Sequence, residues 1–195
     1  GEGVRLRSLT RLVSGEDTPK QFCALLGSQT LLTQTKERIA RSIAVDRTLF
    51  VLIKSHERFY SKDLRSVSPG QMIVQPSNRG TLPAILCSLI NIVQRDADAV
   101  VGIFPSDHHY SDEVKFMSGV DLAFAAAATH PNSVLLLGAM AKYPETEYGW
   151  IEPEVSTHSR DGFLRVKRFW EKPSTQTAHQ LIERGCVWNT FVMVG

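Results

Sequence analysis

The sequence predicts an α/β protein in which a mostly parallel sheet is covered by helices on both faces. Between residues 30 and 141, segments with helical periodicity alternate with short apolar runs typical of strands. Such alternation is typical of parallel strands joined by helical crossovers. After about residue 142 the pattern changes to strand-like segments around one short helix, which would complete a mixed sheet.

The individual elements follow from local patterns. We predict helices at 30–43, 81–94, 112–130 and 175–184, and strands at 48–53, 71–76, 132–141, 163–173 and 187–194. Residues 98–109 read as a further strand that leads into a polar loop after residue 104. The first helix places one set of side chains on a single face: Leu31, Leu32, Thr35, Ile39 and Ile43. The continuous apolar run 48–53 indicates a strand buried on both faces. Pro83 lies in the first turn of its helix, where its missing N–H breaks no hydrogen bond.

Composition narrows the class of protein. A length of 195 residues with 43% hydrophobic residues allows one domain with a sizeable core, and a net charge of +2 does not indicate a nucleic-acid binder. Residues 1–65 carry 12 Lys and Arg against 7 Asp and Glu, whereas the remainder carries 10 against 13. This asymmetry suits a small polyanion at one end and a metal or hydroxyl-rich ligand at the other.

The cysteines indicate the cellular compartment, and the chain ends indicate the extent of the domain. Three widely spaced cysteines (Cys23, Cys87 and Cys186) without a C-x-x-C pattern indicate buried free thiols in a cytoplasmic protein. No transmembrane run or signal peptide is visible. The first residue is not methionine and "TFVMVG" reads as a strand cut short, so we expect one domain over 1–195, truncated at both ends. We expect this segment alone to be weakly active or inactive.

Polar segments follow the predicted strands. In parallel sheets ligands bind outside the carboxyl ends of the strands, so these segments predict one composite site. They read "KSHERF", "QPSNRGT", "PSDHH", "AKYPETEYGW" and "WEKPS".

The basic opening "GEGVR" fits either an anion-binding loop or an ordinary flexible end. The backbone at Gly1 and Gly3 could approach an anion closely, and Arg5 could grip phosphate oxygens. Lys20 in "TPKQF" follows a stiffening proline, although a surface lysine explains it equally well. These residues alone do not distinguish a phosphate-binding site from a flexible end and a surface lysine.

Asp107 in "FPSDHH" directly follows a predicted strand, a position suited to a hard divalent cation. A helix-capping or loop aspartate is the alternative. Adjacent histidines point to different sides and lack a third soft ligand, so we do not expect zinc at His108 and His109.

Three further segments carry polar groups that could contact a ligand. Gln75, Asn78, Gly80 and Thr81 could read a nucleobase edge, but Asn78 or Thr81 could instead cap the following helix. Glu171 and Lys172 end a strand with side chains on opposite faces. Asn189 lies inside an apolar strand, as either a core hydrogen-bonding residue or a ligand for sugar hydroxyls.

Taken together and in order, these segments resemble the nucleotidyltransferases that make nucleotide sugars, above all the mannose-1-phosphate guanylyltransferases. The family's G-G-x-G-T-R-L-x-P-L and P-K-Q-F motifs are similar to "GEGVRLRSL" and "TPKQF". "QPSNRGTLPAI" resembles its guanosine-contacting segment, and "FPSDH" resembles its metal-binding strand end. "EYGWIEP", "FWEKP" and "WNTFVMV" resemble its sugar-phosphate half. The resemblance implies a Rossmann-like three-layer α/β/α nucleotidyltransferase domain.

The resemblance also implies a role for each candidate residue. Arg5, Lys20 and Lys172 would be catalytic. The nucleotide would contact Gly1, Gly3, Gln75, Asn78, Gly80 and Thr81, and Asp107 would hold Mg²⁺. The sugar phosphate would contact Glu147, Gly149, Glu171, Lys172 and Asn189. The implied partners are GTP and mannose 1-phosphate, with no nucleic acid or membrane, and a homodimer remains open.

Departures from the family pattern leave alternatives. Val4 and Ser8 stand where the family usually has threonine and proline, and its second metal carboxylate would lie beyond residue 195. A hexose-1-phosphate enzyme using UTP or dTTP, or a non-catalytic paralogue that binds nucleotide sugars, would retain many of the same groups.

Overall fold

A computed structural model describes residues 6–154 and 162–195. The chain forms two compact units, which are described separately. The first comprises Gly1–Val101 and Pro105–Leu122, and the second comprises Gly102–Phe104 and Ala123–Gly195. Four residues that the sequence assigns to an anion-binding loop lie outside the described residues: Gly1, Gly3, Val4 and Arg5.

The first unit is built around a parallel pair of strands. Its elements, in chain order, are α1 (Arg7–Ser14), α2 (Leu31–Ile39), β1 (Phe50–Ile53), α3 (Glu57–Asp63), β2 (Met72–Gln75) and α4 (Thr81–Val93). Strands β1 and β2 pair in parallel, with Phe50 opposite Met72 and Ile53 opposite Gln75. The parallel pairing agrees with the sequence-based expectation, but the helix α3 that joins the two strands was not predicted.

The core of this unit packs α2 and α3 against β1. It contains five buried side chains: Leu32, Leu52, Tyr60, Leu64 and Val67. Thr30 caps α2, since its hydroxyl accepts the Thr33 N–H. The predicted face of α2 is buried through Ile39, where the helix ends, so Ile43 lies beyond it.

Two further details of the first unit differ from the sequence-based expectation. The expected burial of strand 48–53 on both faces is wrong, because alternate side chains of β1 face opposite sides and Val51 is 39% exposed. No helix was expected near the start of the chain, yet Arg7–Ser14 is helical and places Ser8 in its first turn. Gly15, at a φ of 77°, ends that helix by donating its N–H to the Arg11 carbonyl.

The second unit is an antiparallel sheet with a helix against one face. Its strands are β3 (Gly102–Ile103), β4 (Leu135–Met140), β5 (Gly149–Pro153), β6 (Val166–Glu171) and β7 (Val187–Val194). Helix α5 (Glu113–Thr129) contributes residues 123–129 to this unit, and α6 (Thr175–Glu183) lies between β6 and β7 in sequence.

Strand β7 is the centre of the second sheet. It pairs antiparallel with β3, β4 and β5, and β5 pairs in turn with β6. Because β3 and β4 both oppose β7, they run in the same direction as each other. Together with the parallel pair of the first unit, this arrangement confirms an α/β fold with mixed strand directions.

A bulge in β7 separates its two halves. The register against β4 shifts between Leu137 and Gly138, and Phe191 takes a φ of 58°. Thr190 Oγ1 donates to the Leu137 carbonyl, and Asn189 Oδ1 accepts the Phe191 N–H at 2.9 Å. The side chain of Asn189 therefore belongs to the bulge itself, which orients it.

Helix α6 covers the apolar face of β5 and β7. Trp150, Ala178, Leu181 and Cys186 form the buried cluster beneath it. Ser174 begins the helix, since its hydroxyl accepts the Thr177 N–H. All three cysteines are free thiols, as the sequence predicts, but the expectation that they are buried is wrong for Cys87, which is exposed. Among residues 6–154 and 162–195, no helix combines the length and apolar character needed to cross a bilayer.

Candidate functional site

Lys20 and Asp107 meet in the first unit. Lys20 begins a short 3₁₀ turn (Lys20–Phe22) directly after Pro19, and Asp107 lies in the segment between β3 and α5. Lys20 Nζ is 2.8 Å from Asp107 Oδ2, and each side chain is 27% exposed. The sequence predicts one of these groups for phosphate and the other for a metal, and the structure places them in direct contact.

The imidazole of His108 lies on the other side of the same carboxylate. His108 Nε2 is 3.7 Å from Asp107 Oδ1. Burial lowers the pKa of His108 below its ordinary value; the negative charge of Asp107 opposes this, and the positive charges of Lys20 and Arg38 add to it. The ring of His108 is therefore biased toward its neutral form.

The donor set around Asp107 fits a magnesium ion better than a softer metal. Within the described part of the chain, no three His, Cys, Asp or Glu side chains converge as a protein cage for a metal. Mg²⁺ commonly takes one or two carboxylates and completes its octahedron with water and substrate phosphates. A single half-buried carboxylate beside a lysine fits that mode.

A buried arginine, which the sequence analysis did not identify, braces the segment that carries Asp107. Arg38 is 1% exposed and lies on the buried side of α2. Its Nε is 3.2 Å from Glu113 Oε1, and its Nη2 donates to the His108 carbonyl at 3.4 Å. The signal was available, because Arg38 follows Thr35 by three residues and so falls on the apolar face of the helix.

The segment predicted to contact the nucleotide lies between β2 and α4. Gln75 ends β2, and Asn78 Oδ1 accepts the Gly80 N–H at 3.0 Å. Gly80, at a φ of 90°, precedes α4 and offers no side-chain cap, whereas Thr81 is the first helical residue. Neither Asn78 nor Thr81 caps this helix, so that alternative is wrong for both residues.

Three residues predicted to contact the sugar phosphate converge in the second unit. Gly149 on β5 lies opposite Glu171 on β6. A Cβ at Gly149 would lie 3.1 Å from Glu171 Oε2, 3.7 Å from Asn189 Cβ and 3.8 Å from Asn189 Nδ2. A side chain at residue 149 would crowd the Glu171 carboxylate, so glycine lets this carboxylate and the Asn189 amide lie close to the backbone of β5.

Lys172 follows Glu171 in a strained backbone conformation. Its φ is 44°, a left-handed value that is uncommon for a residue with a side chain. Its N–H donates to the Tyr148 carbonyl at 3.3 Å, which ties the end of β6 to the residue before β5. Glu147 is exposed in the preceding loop, where its N–H donates to Glu145 Oε1 at 2.8 Å.

A buried carboxylate joins β5, β6 and α6 on the face opposite Gly149. The side chain of Glu152 is 7% exposed; its Oε2 accepts the Trp170 indole N–H at 2.9 Å, and its Oε1 lies 3.1 Å from Lys167 Nζ. Arg184 Nη1 lies 3.4 Å from the same Oε1. The Trp170 hydrogen bond, followed by that of Lys167, lowers the pKa of Glu152 below its ordinary value of 4.5.

The contribution of Glu152 to stability depends on pH in a defined direction. A carboxyl group whose pKa is lower in the folded state stabilises the fold above its unfolded-state pKa and loses that effect as the pH falls through the folded pKa. We expect Glu152→Gln to lower the free energy of unfolding at about pH 7, with the difference from wild type shrinking below about pH 4.5. Urea denaturation at several pH values measures this. A difference independent of pH would contradict it.

Comparison of the sequence with known proteins identifies the family of this chain. The family model for nucleotidyl transferases matches residues 1–194. The alginate biosynthesis protein AlgA of Pseudomonas aeruginosa is 32% identical over 193 residues, covering 97% of this chain and 39% of the relative. Mannose-1-phosphate guanylyltransferase 2 of Escherichia coli O157:H7 is 30% identical over 204 residues, covering 100% of this chain and 41% of that protein.

A solved structure has the same architecture. The crystal structure of a Thermus thermophilus protein, described as a mannose-1-phosphate geranyltransferase, matches with a TM-score of 0.82 and 28% identity. The match covers 93% of this chain and 52% of the other. The chain therefore spans about two fifths of the curated relatives it matches and about half of this solved one.

These matches confirm the nucleotidyltransferase-type α/β fold. The match extends over both compact units, since the family model covers nearly every residue. The chain belongs to the nucleotidyl transferase family.

Proposed function

We propose that this protein is a mannose-1-phosphate guanylyltransferase, which converts GTP and mannose 1-phosphate into GDP-mannose and pyrophosphate. The observation that carries the proposal is the 2.8 Å contact between Lys20 Nζ and Asp107 Oδ2, which joins a phosphate-binding and a metal-binding candidate. The relative from E. coli that bears this name supports the choice of substrates.

The first unit supplies the groups for the nucleotide. Lys20 would bind its phosphates, together with Arg5 and the backbone at Gly1 and Gly3. Gln75, Asn78, Gly80 and Thr81 would contact the base and ribose. Asp107 would hold Mg²⁺, which when bound neutralises charge on the triphosphate. The open backbone at Gly80 would allow close approach of the ligand.

The second unit supplies the groups for the sugar phosphate. The sugar would bind beside Gly149, with Glu171 accepting hydrogen bonds from its hydroxyls. Asn189 would donate from Nδ2, because its Oδ1 already accepts the Phe191 N–H. Lys172 would bind the sugar phosphate, and Glu147 would line the same pocket.

The proposed chemistry needs positioning more than proton transfer. A phosphate oxygen of mannose 1-phosphate attacks the α-phosphorus of GTP, and the bond from that phosphorus to the bridging oxygen of the β-phosphate breaks. Pyrophosphate leaves with the electron pair. The attacking phosphate is already a dianion near neutral pH, so no general base is required. Arg5, Lys20 and Lys172 would offset the repulsion between anions.

A pyrophosphate-release assay tests this proposal. Full-length protein with GTP, Mg²⁺ and mannose 1-phosphate should release pyrophosphate and form GDP-mannose. Omitting mannose 1-phosphate is the control. Tight binding of GDP-mannose without turnover would instead establish a non-catalytic nucleotide-sugar-binding protein.

Substitution of the substrates tests the choice of nucleotide and sugar. The same assay with UTP or dTTP and glucose 1-phosphate should give lower kcat/KM than the proposed pair. Faster turnover with either would assign the protein to another branch of the sugar nucleotidyltransferases. We also propose a cytoplasmic setting, since three free thiols suit a reducing compartment.

A further inference from the structure

The guanidinium of Arg38 is one of the most buried charged groups in the first unit. At 1% exposure it has been taken out of water almost completely. Removing an arginine from water is costly unless its charge and its N–H groups find partners. Where those partners lie therefore indicates what the buried charge holds in place.

The guanidinium contacts four residues of the segment that follows Asp107: His108, Tyr110, Glu113 and Phe116. Nε binds Glu113 and Nη2 binds the His108 carbonyl. Its Cζ lies 4.8 Å from the ring centroid of Tyr110 and 5.8 Å from that of Phe116. Those two rings stack with their centroids 3.8 Å apart. One side chain of α2 thus holds the segment that leads into α5.

Asp107 directly precedes His108, the first residue of the segment that Arg38 contacts. Fixing the His108 carbonyl restricts the backbone beside Asp107, because peptide units are planar and successive Cα atoms are separated by a constant distance of about 3.8 Å. The charge pair with Glu113 holds the other end of the segment, at the first residue of α5. Because these hydrogen bonds go to His108 and Glu113 rather than to Lys20 or the Asp107 carboxylate, the influence of Arg38 passes through the backbone.

We propose that Arg38 is a positioning residue that sets where the Asp107 carboxylate stands opposite Lys20. This inference rests on the proposed function, since it concerns the geometry of the same carboxylate. The planar, forked shape of the guanidinium matters as well as its charge, because one group must reach a carbonyl and a carboxylate together while lying over the ring of Tyr110.

Arg38→Lys keeps the charge and removes the planar fork. We expect this variant to lower kcat about 10- to 100-fold, since small misplacements of catalytic groups have effects of that size. Arg41→Met is the matched control. Arg41 also pairs with Glu113, at 2.9 Å, but its side chain is 49% exposed, so its loss should change kcat less than about threefold.

Two measurements separate positioning from a general loss of stability. In an Asp107→Asn background, Arg38→Lys should lower kcat further by less than about twofold, because its target is already removed. Amide hydrogen exchange in residues 105–112 should be about tenfold faster in Arg38→Lys than in wild type, with exchange in β7 unchanged. If Arg38→Lys fails to fold, Glu113→Gln should show the same local increase, to a smaller extent.

Each outcome is decisive. Full additivity of the two substitutions, or unchanged exchange in residues 105–112, overturns the role of Arg38. A wild-type protein that binds nucleotide sugar without turnover overturns the proposed function, and the exchange measurement then still decides whether Arg38 positions this segment.

Discussion

Replacing Asp107 by asparagine should lower kcat for pyrophosphate release about 100- to 1000-fold, the effect expected for loss of a principal charge-stabilising group. Asparagine keeps the size of the side chain but removes the charge that pairs with Lys20 at 2.8 Å. It also removes the carboxylate that we assign to the metal, so the Mg²⁺ concentration for half-maximal rate should rise. Steady-state assays over a range of Mg²⁺ concentrations measure both quantities.

Asp112→Asn provides the matched control in the same segment. Asp112 Oδ1 accepts the Lys115 N–H at 2.9 Å at the start of α5. The amide oxygen of asparagine can also accept this bond, so activity should stay close to that of wild type. Equal activity of Asp107→Asn and Asp112→Asn would remove Asp107 from the proposed site.

Replacing Lys172 by alanine should raise the KM for mannose 1-phosphate about 10- to 100-fold, with a smaller change in kcat. A charge-assisted contact to phosphate contributes about 1.5–3 kcal/mol, which corresponds to that range. The left-handed backbone at residue 172 is unfavourable for alanine as well as for lysine, so the variant tests the side chain rather than the conformation. Initial rates at varied mannose 1-phosphate and saturating GTP measure it.

Lys167→Ala is the control for charge. Lys167 lies on β6, the strand that ends just before Lys172, but its Nζ binds Glu152, at 3.1 Å. Its removal takes one positive charge from the same unit and should leave the KM for mannose 1-phosphate within about twofold of wild type. An unchanged KM in Lys172→Ala would show that another group binds the sugar phosphate.

The sequence predicted the element types well and the environment of some elements poorly. Helices and strands were expected close to their observed positions, because the apolar periodicity of 3.6 or 2 is a local property of the chain. Two helices were missed, Arg7–Ser14 and Glu57–Asp63, and the strand expected from residue 98 is only Gly102–Ile103. The first helix was missed because an opening with two glycines indicates a loop and only Gly15 signals a helix end. The exposure of Val51 was missed, since burial depends on what packs against the second face of a strand.

In the candidate site, too, the sequence predicted some residues and missed others. Five of its groups were identified from their positions near strand ends and from the family resemblance: Asp107, Lys20, Gly149, Glu171 and Asn189. Their roles remain proposals, but their proximity within each unit is now defined. Arg38 escaped notice because a lone arginine in a helix usually points to solvent, and its burial requires partners from 70 or more residues further along the chain.

The amino-acid sequence was sufficient for the α/β class, the order of the motifs and the identity of most candidate groups, since all of these depend on residue type and short-range spacing. The three-dimensional structure was needed for the contact of Lys20 with Asp107, the closeness of Glu171 and Asn189 to Gly149, and the buried contacts of Arg38. These features arise when strands pair and helices pack, which brings together residues far apart in the chain that no local pattern connects.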